Sequence, residues 1–240
     1  MFAATDITNF LACRHLTTLE RARAEEGLRR PFRPKTELEL LRGLGLDHER
    51  AYLRHLTEEL HQDVVDIPTA SWVAAARATA RAMGMGAQVI YQATFEEPAG
   101  RGRADFLIRV EKPSYLGFWS YEAVEAKLAR STKASALIQL CFYSELLWQI
   151  QGILPEFMHV VLGGGRHETF RVTRYVAYFR RVKVAFEQAS RISAPTYPDP
   201  VEHCQMCLVA APLREAMESR RLPLTDRRHN SQPTEDADES

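Results

Sequence analysis

Apolar side chains recur at helical spacing through the first third of the chain. In the first such stretch they are Ile7, Phe10, Leu11, Leu16 and Leu19. This pattern predicts one helix or two short helices over residues 7–28. Similar spacing predicts a helix over residues 36–60 and an alanine-rich helix over residues 71–83, on either side of Pro68. We therefore expect the first third of the chain to be mostly helical.

The pattern changes in the middle of the chain, where β-branched and aromatic residues replace the helical periodicity. Turn-forming residues divide this region into three stretches, which are residues 88–95, 103–110 and 118–127. Short stretches of this composition, bounded by turns, are typical of β-strands. We expect three consecutive antiparallel strands.

The last third returns to alternating helices and strands. In chain order we expect a helix over residues 133–151, a strand over 157–162, a hairpin turn at Gly163 to Gly165, a strand around 169–172 and a helix over 175–190. This order predicts an α/β fold, with a central mixed sheet flanked by helices and an N-terminal helical addition. Residues 193–224 form a cysteine-containing segment, and the polar residues 225–240 are expected to be a disordered tail.

Composition adds little about the partner of this 240-residue chain. The 31 basic and 31 acidic residues give a formal net charge of zero, so no overall basic field indicates a nucleic-acid partner. The apolar runs are too short to span a bilayer, and no basic segment followed by an apolar one begins the chain. We expect a soluble, cytoplasmic protein.

Three charged residues of the predicted strands can form one cluster of side chains. Side chains at positions i and i+2 of a strand point to the same face, so Glu125 and Lys127 lie side by side. Asp105 on the neighbouring strand can reach the same place. Carboxylates that converge on a hard cation allow it to stabilise charge on a phosphate and to lower the pKa of a bound water. A cross-strand ion pair on an exposed face explains the same three residues without catalysis.

Lys127 differs from the other lysines in its position relative to an acidic residue. Of the five lysines, it alone follows an acidic residue by two positions. Gln139 and Tyr143 lie four residues apart on the next predicted helix, so they share a face that can point at the same site. Glu122 precedes Glu125 by three positions, so we expect it to face the opposite side of the sheet and to serve a structural role.

In combination these residues resemble a known family. His48, Gly102-Arg103-Ala104-Asp105, Glu125-Ala126-Lys127 and Gln139-x-x-x-Tyr143 follow the order found in RecB-like nucleases of the PD-(D/E)xK superfamily. The chain is similar to CRISPR-associated RecB-like exonucleases and to nuclease domains fused to helicases, over about residues 5–210. The resemblance implies a restriction-endonuclease-like core over residues 87–192 and a helical part over 1–86. Together with the cysteine-containing segment they would form one nuclease domain over residues 1–224.

The resemblance also implies roles for the individual residues. The implied ligands of Mg²⁺ or Mn²⁺ are His48, Asp105, Glu125 and the carbonyl oxygen of Ala126. Lys127 would orient the attacking water. Gln139 and Tyr143 would support the site or contact DNA.

The implied activity is metal-dependent hydrolysis of DNA by an exonuclease acting on single strands or ends, in repair, recombination or defence. A helicase or another repair or defence protein is an implied partner. Two alternatives stay open: a catalytically weak or inactive DNA-binding remnant of a nuclease-helicase, and a module that binds only a metal cluster.

The four cysteines bear on the last alternative. Without a secretory signal, they favour metal binding or burial over disulfides. The resemblance matches Cys13, Cys204 and Cys207 to three of the four ligands of an iron–sulfur cluster, but Leu213 stands where the fourth is expected. A fourth ligand from His203 or His15, a zinc ion, or loss of the cluster are the alternatives. We expect Cys141, on the apolar side of its helix, to be a packing residue.

Overall fold

The computed structural model describes residues 2–26, 36–68, 71–98, 100–191 and 196. Its helices are α1 (Ala4–Ala12), α2 (Arg14–Glu26), α3 (Thr36–Arg54), α4 (Trp72–Gly84), α5 (Ala134–Gln151) and α6 (Val176–Arg191). A π-helical turn, His55–Glu59, extends α3, and a 3₁₀ turn, Val172–Arg174, precedes α6. The strands are β1 (Val64–Asp66), β2 (Val89–Glu97), β3 (Gly100–Val110), β4 (Ser120–Lys127), β5 (Phe157–Leu162) and β6 (His167–Arg171).

The six strands form one mixed sheet in the order β1-β2-β3-β4-β5-β6. β2, β3 and β4 pair antiparallel, as do β5 and β6, whereas β1 with β2 and β4 with β5 are parallel. Parallel neighbours need a crossover connection, and α4 and α5 provide the two that this sheet requires. The predicted run of three antiparallel strands is confirmed, and so is the hairpin at Gly163 to Gly165, where Gly164 and Gly165 adopt φ of 79° and 77°.

Helices cover both faces of the sheet. On one face, α1, α4, α5 and α6 enclose the larger core, which includes Met83, Phe95, Leu107, Phe142 and Phe179. On the other, α3 packs over a smaller cluster that includes Tyr52, Leu56, Tyr91, Phe106 and Val161. The protein thus has the α/β architecture that the sequence predicted, a mixed open sheet flanked by helices.

The strand alternation breaks at one place in β2 and β3. On β3, Ala104 and Leu107 both belong to the core under α5, while Phe106 belongs to the cluster under α3. At the same level of β2, Gln92 adopts φ of 57°, which is unusual for a residue other than glycine. The ladder pairs the residues on either side of Gln92 and Asp105 but skips these two. Asp105 therefore lies at an irregular point of the sheet.

The first helical stretch is two short helices, which is one of the two predicted arrangements, because the backbone at Cys13 is extended between α1 and α2. The sequence and the structure differ mainly at short or irregular elements. β1 is a three-residue edge strand that the sequence pattern did not indicate, since it is too short to show alternation. Among the described helices, none has both the length and the apolar composition required to cross a membrane.

Candidate active site

The three predicted catalytic residues meet at adjacent strands. Phe106 pairs with Val124 in the ladder, which brings Asp105 on β3 opposite Glu125 on β4. The backbone N–H of Ala126 donates a hydrogen bond of 2.8 Å to Asp105 Oδ2. Lys127 Nζ donates to Glu125 Oε2. The i and i+2 spacing on β4 thus brings acid and lysine together, as the sequence predicted.

Glu125 is buried with an incomplete set of partners. Its side chain is 0% exposed. Lys127 satisfies Oε2, but Oε1 has no hydrogen-bond partner among the described residues. A buried carboxylate oxygen without a partner is costly, because its lost hydration is not replaced. This oxygen is therefore available to a ligand that is not part of the chain.

Two acids share this small volume. Burial raises the pKa of Asp105 well above its ordinary value, and the charge of Glu125 raises it further, whereas Lys127 and the N–H of Ala126 lower it. Burial likewise raises the pKa of Glu125, against the opposing effect of Lys127. Two like charges held close together in a buried site disfavour ionisation of both carboxyl groups. A hard divalent cation relieves this repulsion, and carboxylate oxygens are the ligands that Mg²⁺ prefers, so the residues present fit such an ion.

Lys127 retains its charge in this site. Burial alone would lower the pKa of its ammonium group, but the carboxylates of Glu125 and Asp105 more than compensate and raise it. A cation next to the acids can stabilise negative charge on a bound phosphate or hold a water molecule by donating a hydrogen bond.

Gln139 and Tyr143 lie one turn apart on α5, beside the carboxylates. Gln139 Nε2 donates to Tyr143 Oη over 3.3 Å, and Tyr143 Oη donates to the carbonyl of Arg103 over 2.8 Å. Burial, and the nearby charge of Glu125, raise the pKa of the Tyr143 hydroxyl. A Cβ at Gly102 would lie 2.7 Å from the Tyr143 ring, so only glycine allows β3 to approach α5 this closely.

His48 lies on α3, as predicted, but its ring is engaged elsewhere. Its Nε2 donates a hydrogen bond of 3.0 Å to the carbonyl of Val161 on β5. Within the part of the chain that the structure describes, no three carboxylate, imidazole or thiol groups converge as a metal site. The side-chain ligands that the resemblance implies, His48, Asp105 and Glu125, therefore do not converge in this arrangement. His48 instead bonds to Val161, which pairs with Ala126 in the ladder beside Glu125.

Glu49 is a residue near the site that the sequence analysis missed. It follows His48 on α3, accepts a hydrogen bond from the amide of Gln92, and its charge raises the pKa of both Asp105 and Glu125. The run Asp47-His48-Glu49 was the available signal, but spacing along a helix does not tell which of three neighbouring polar residues faces a distant strand. Glu49 brings a third carboxylate into the electrostatic surroundings of the pair.

Glu122 has the structural role that its position predicted. It is buried on β4, where its Oε1 accepts the backbone N–H of Phe157 over 2.9 Å. Its Oε2 lies 2.9 Å from His159 Nε2. Both oxygens are satisfied within the protein, and the residue joins β4 to β5.

The cysteines lie in different surroundings. Cys141 is fully buried on α5, where burial raises the pKa of its thiol to about 12, in keeping with the predicted packing role. Cys13 is half-buried at the junction of α1 and α2. His15 Nδ1 lies 2.8 Å from Thr196 Oγ1, which places Thr196 beside α2. The remaining predicted positions lie outside the described residues, namely His203, Cys204, Cys207, Leu213 and the tail 225–240.

Asp105, Glu125 and Lys127 form the candidate catalytic group of the described structure. Similarity to known proteins gives no further indication of its role. No protein-family model matches the chain, and no curated protein is significantly similar to it.

Proposed function

We propose that this protein is a metal-dependent deoxyribonuclease with a RecB-like core of the PD-(D/E)xK type, acting on single-stranded DNA or DNA ends. The observation that carries the proposal is the meeting of Asp105, Glu125 and Lys127 on adjacent strands, with one oxygen of Glu125 buried and without a partner. The mixed sheet with helices on both faces is compatible with that core.

Each residue has a distinct task in this proposal. Asp105 and Glu125 would hold Mg²⁺ or Mn²⁺. When bound, the ion would supply stabilisation of charge on the scissile phosphate and activation of a water molecule. Lys127, held by Glu125, orients the water that attacks phosphorus. Gln139 and Tyr143 fix the distance between α5 and β3 and so keep the two carboxylates in place.

A DNA-binding protein that does not cleave is the second candidate. The hydrogen bond of His48 favours it, because the ring bonds to the carbonyl of Val161 and leaves Asp105 and Glu125 as the only two of the three implied side-chain ligands that meet among the described residues. The same fold would then hold DNA without hydrolysing it.

Cleavage of end-labelled DNA tests the proposal. Purified protein is incubated with single- and double-stranded DNA, and with RNA for comparison, in Mg²⁺, Mn²⁺ or EDTA. We expect cleavage that EDTA abolishes, and loss of about a hundredfold or more for Asp105→Ala and Lys127→Ala, because each removes a group that stabilises charge in the transition state. Lys112→Ala, which alters an exposed lysine paired with Glu156, is the matched control and keeps wild-type activity.

Two outcomes would overturn the assignment. Metal-dependent cleavage that survives both substitutions places the chemistry elsewhere in the protein or in a contaminant. Tight DNA binding without cleavage in any metal supports the second candidate.

A further inference from the structure

Two arginines lead along β3 to the candidate catalytic aspartate. Arg101 and Arg103 precede Asp105 at intervals of two residues, and each interval spans about 7 Å along a strand. Neither guanidinium forms an ion pair with any carboxylate among the described residues. Glu96 lies across the ladder from Arg101 without pairing with it. The two positive charges are therefore free to meet an anion.

A single tryptophan holds both arginines. The guanidinium carbons of Arg101 and Arg103 lie 5.6 and 5.4 Å from the centre of the Trp72 ring, within the range of a cation–π contact. Trp72 is itself fixed, because its Nε1 donates to the carbonyl of Phe95 over 3.1 Å. Arg103 Nε donates to Thr94 Oγ1 over 3.0 Å, which leaves its terminal nitrogens available. Both side chains are thus oriented before any ligand arrives.

These residues line an open cavity that adjoins the candidate active site. The cavity has a volume of about 380 Å³, and its walls include Trp72, Arg101, Arg103 and Tyr143. Tyr143 is shared with the candidate site, since it bonds to Gln139 and lies close enough to Glu125 for that charge to raise its pKa. A strand of nucleic acid that reaches the carboxylates therefore has this cavity as its neighbour.

We propose that Trp72, Arg101 and Arg103 bind a backbone phosphate of single-stranded DNA, next to the phosphate that is cleaved at Asp105 and Glu125. The proposal rests on the function proposed above. The planar guanidinium group offers paired donors that match two phosphate oxygens, and stacking on an aromatic ring keeps it in plane. Because the chain has no overall positive charge, a DNA strand is attracted by local groups of cations such as this pair.

Equilibrium binding without cleavage tests the inference. A fluorescein-labelled oligothymidylate is titrated with the full chain in EDTA, and its anisotropy is followed at several salt concentrations. Arg101→Ala/Arg103→Ala is expected to weaken binding about tenfold or more. It should also reduce the slope of log K against log salt by about 0.7, because one phosphate contact on a single strand contributes about that much. Arg101→Lys/Arg103→Lys keeps the charge but loses the paired donors, and is expected to bind with intermediate affinity.

Arg77→Ala/Arg81→Ala is the charge-matched control, because it removes two exposed arginines from α4, the helix that carries Trp72. It should keep the wild-type slope. The inference is wrong if this control and the Arg101→Ala/Arg103→Ala protein lose affinity equally, or if the latter, with unchanged circular dichroism, binds like the wild type. Wild-type binding with the expected slopes but no cleavage in metal would support this site while contradicting the nuclease. Cleavage with an unchanged slope would do the reverse.

Discussion

Glu122 and Glu125 lie on the same strand, three residues apart, and both are buried, yet their surroundings are opposite. Glu122 has a partner for each oxygen, a backbone N–H on one side and His159 on the other. Glu125 has Lys127 on one oxygen and no partner among the described residues on the other, and Asp105 faces it across the ladder. Both glutamates are therefore buried, and they differ in whether each carboxylate oxygen has a hydrogen-bond partner.

This difference separates a structural carboxylate from one suited to a ligand. A buried acid whose hydrogen bonds are complete within the protein contributes to stability and has no capacity left for another group. A buried acid with a free oxygen and a second acid nearby destabilises the ligand-free protein, and a cation restores the balance. The following predictions test whether the two glutamates differ in this way.

The largest expected difference is in catalysis. Glu125→Gln is expected to reduce DNA cleavage by about a hundredfold or more, because the neutral amide cannot replace the charge that holds the metal. Glu122→Gln is expected to cleave at the wild-type rate and to lose about 1 kcal/mol of folding stability, since a charged hydrogen bond becomes a neutral one. Rates on labelled DNA and urea unfolding of both proteins measure these effects. Equal loss of activity in the two variants would contradict the comparison.

The next effect is stabilisation by metal. At a concentration about 100-fold above its Kd, Mn²⁺ is expected to stabilise the wild type by about 2.7 kcal/mol, a rise in Tm of about 5–10 °C. Glu122→Gln should show the same rise, and Glu125→Gln should show none. Differential scanning fluorimetry with a Mn²⁺ titration gives the values. A rise that persists in Glu125→Gln would indicate that the ion binds elsewhere.

The smallest effect is the pH dependence of the metal-free protein. Because burial raises the pKa of Asp105 and Glu125, the folded state holds their protons more tightly than the unfolded chain does. The two carboxyl groups therefore favour the folded state at low pH. This contribution is lost as the pH rises from about 4, the ordinary pKa of a carboxyl group, through the raised pKa of the folded state.

Asp105→Asn removes one of the two acids and keeps an acceptor for the N–H of Ala126. In EDTA at neutral pH it should melt at a higher temperature than the wild type, and the two curves should converge near pH 4. A variant less stable than the wild type at neutral pH would show that the Asp105 charge stabilises the fold.

Local patterns in the sequence were enough for most of the secondary structure and for part of the site. Helical periodicity and turn signals predicted α3 to α6 and the strands β2 to β6 within a few residues, because these elements are long enough for their period to show. The i and i+2 spacing placed Glu125 and Lys127 on one face, and the i and i+4 spacing did the same for Gln139 and Tyr143. Each of these inferences depends only on residues that are close in the chain.

The tertiary structure decided which residues that are distant in the chain contact one another. It directed His48 to the carbonyl of Val161, brought the charge of Glu49 to bear on the two acids, and put Gln92 in a left-handed conformation opposite Asp105. It also left one oxygen of Glu125 without a partner within the described part of the chain and brought Trp72 next to two arginines of β3. The sequence by itself determined which residues can carry charge and which share a local face. Only the packing of helices on the sheet determined which charges meet, because that depends on which groups lose water together.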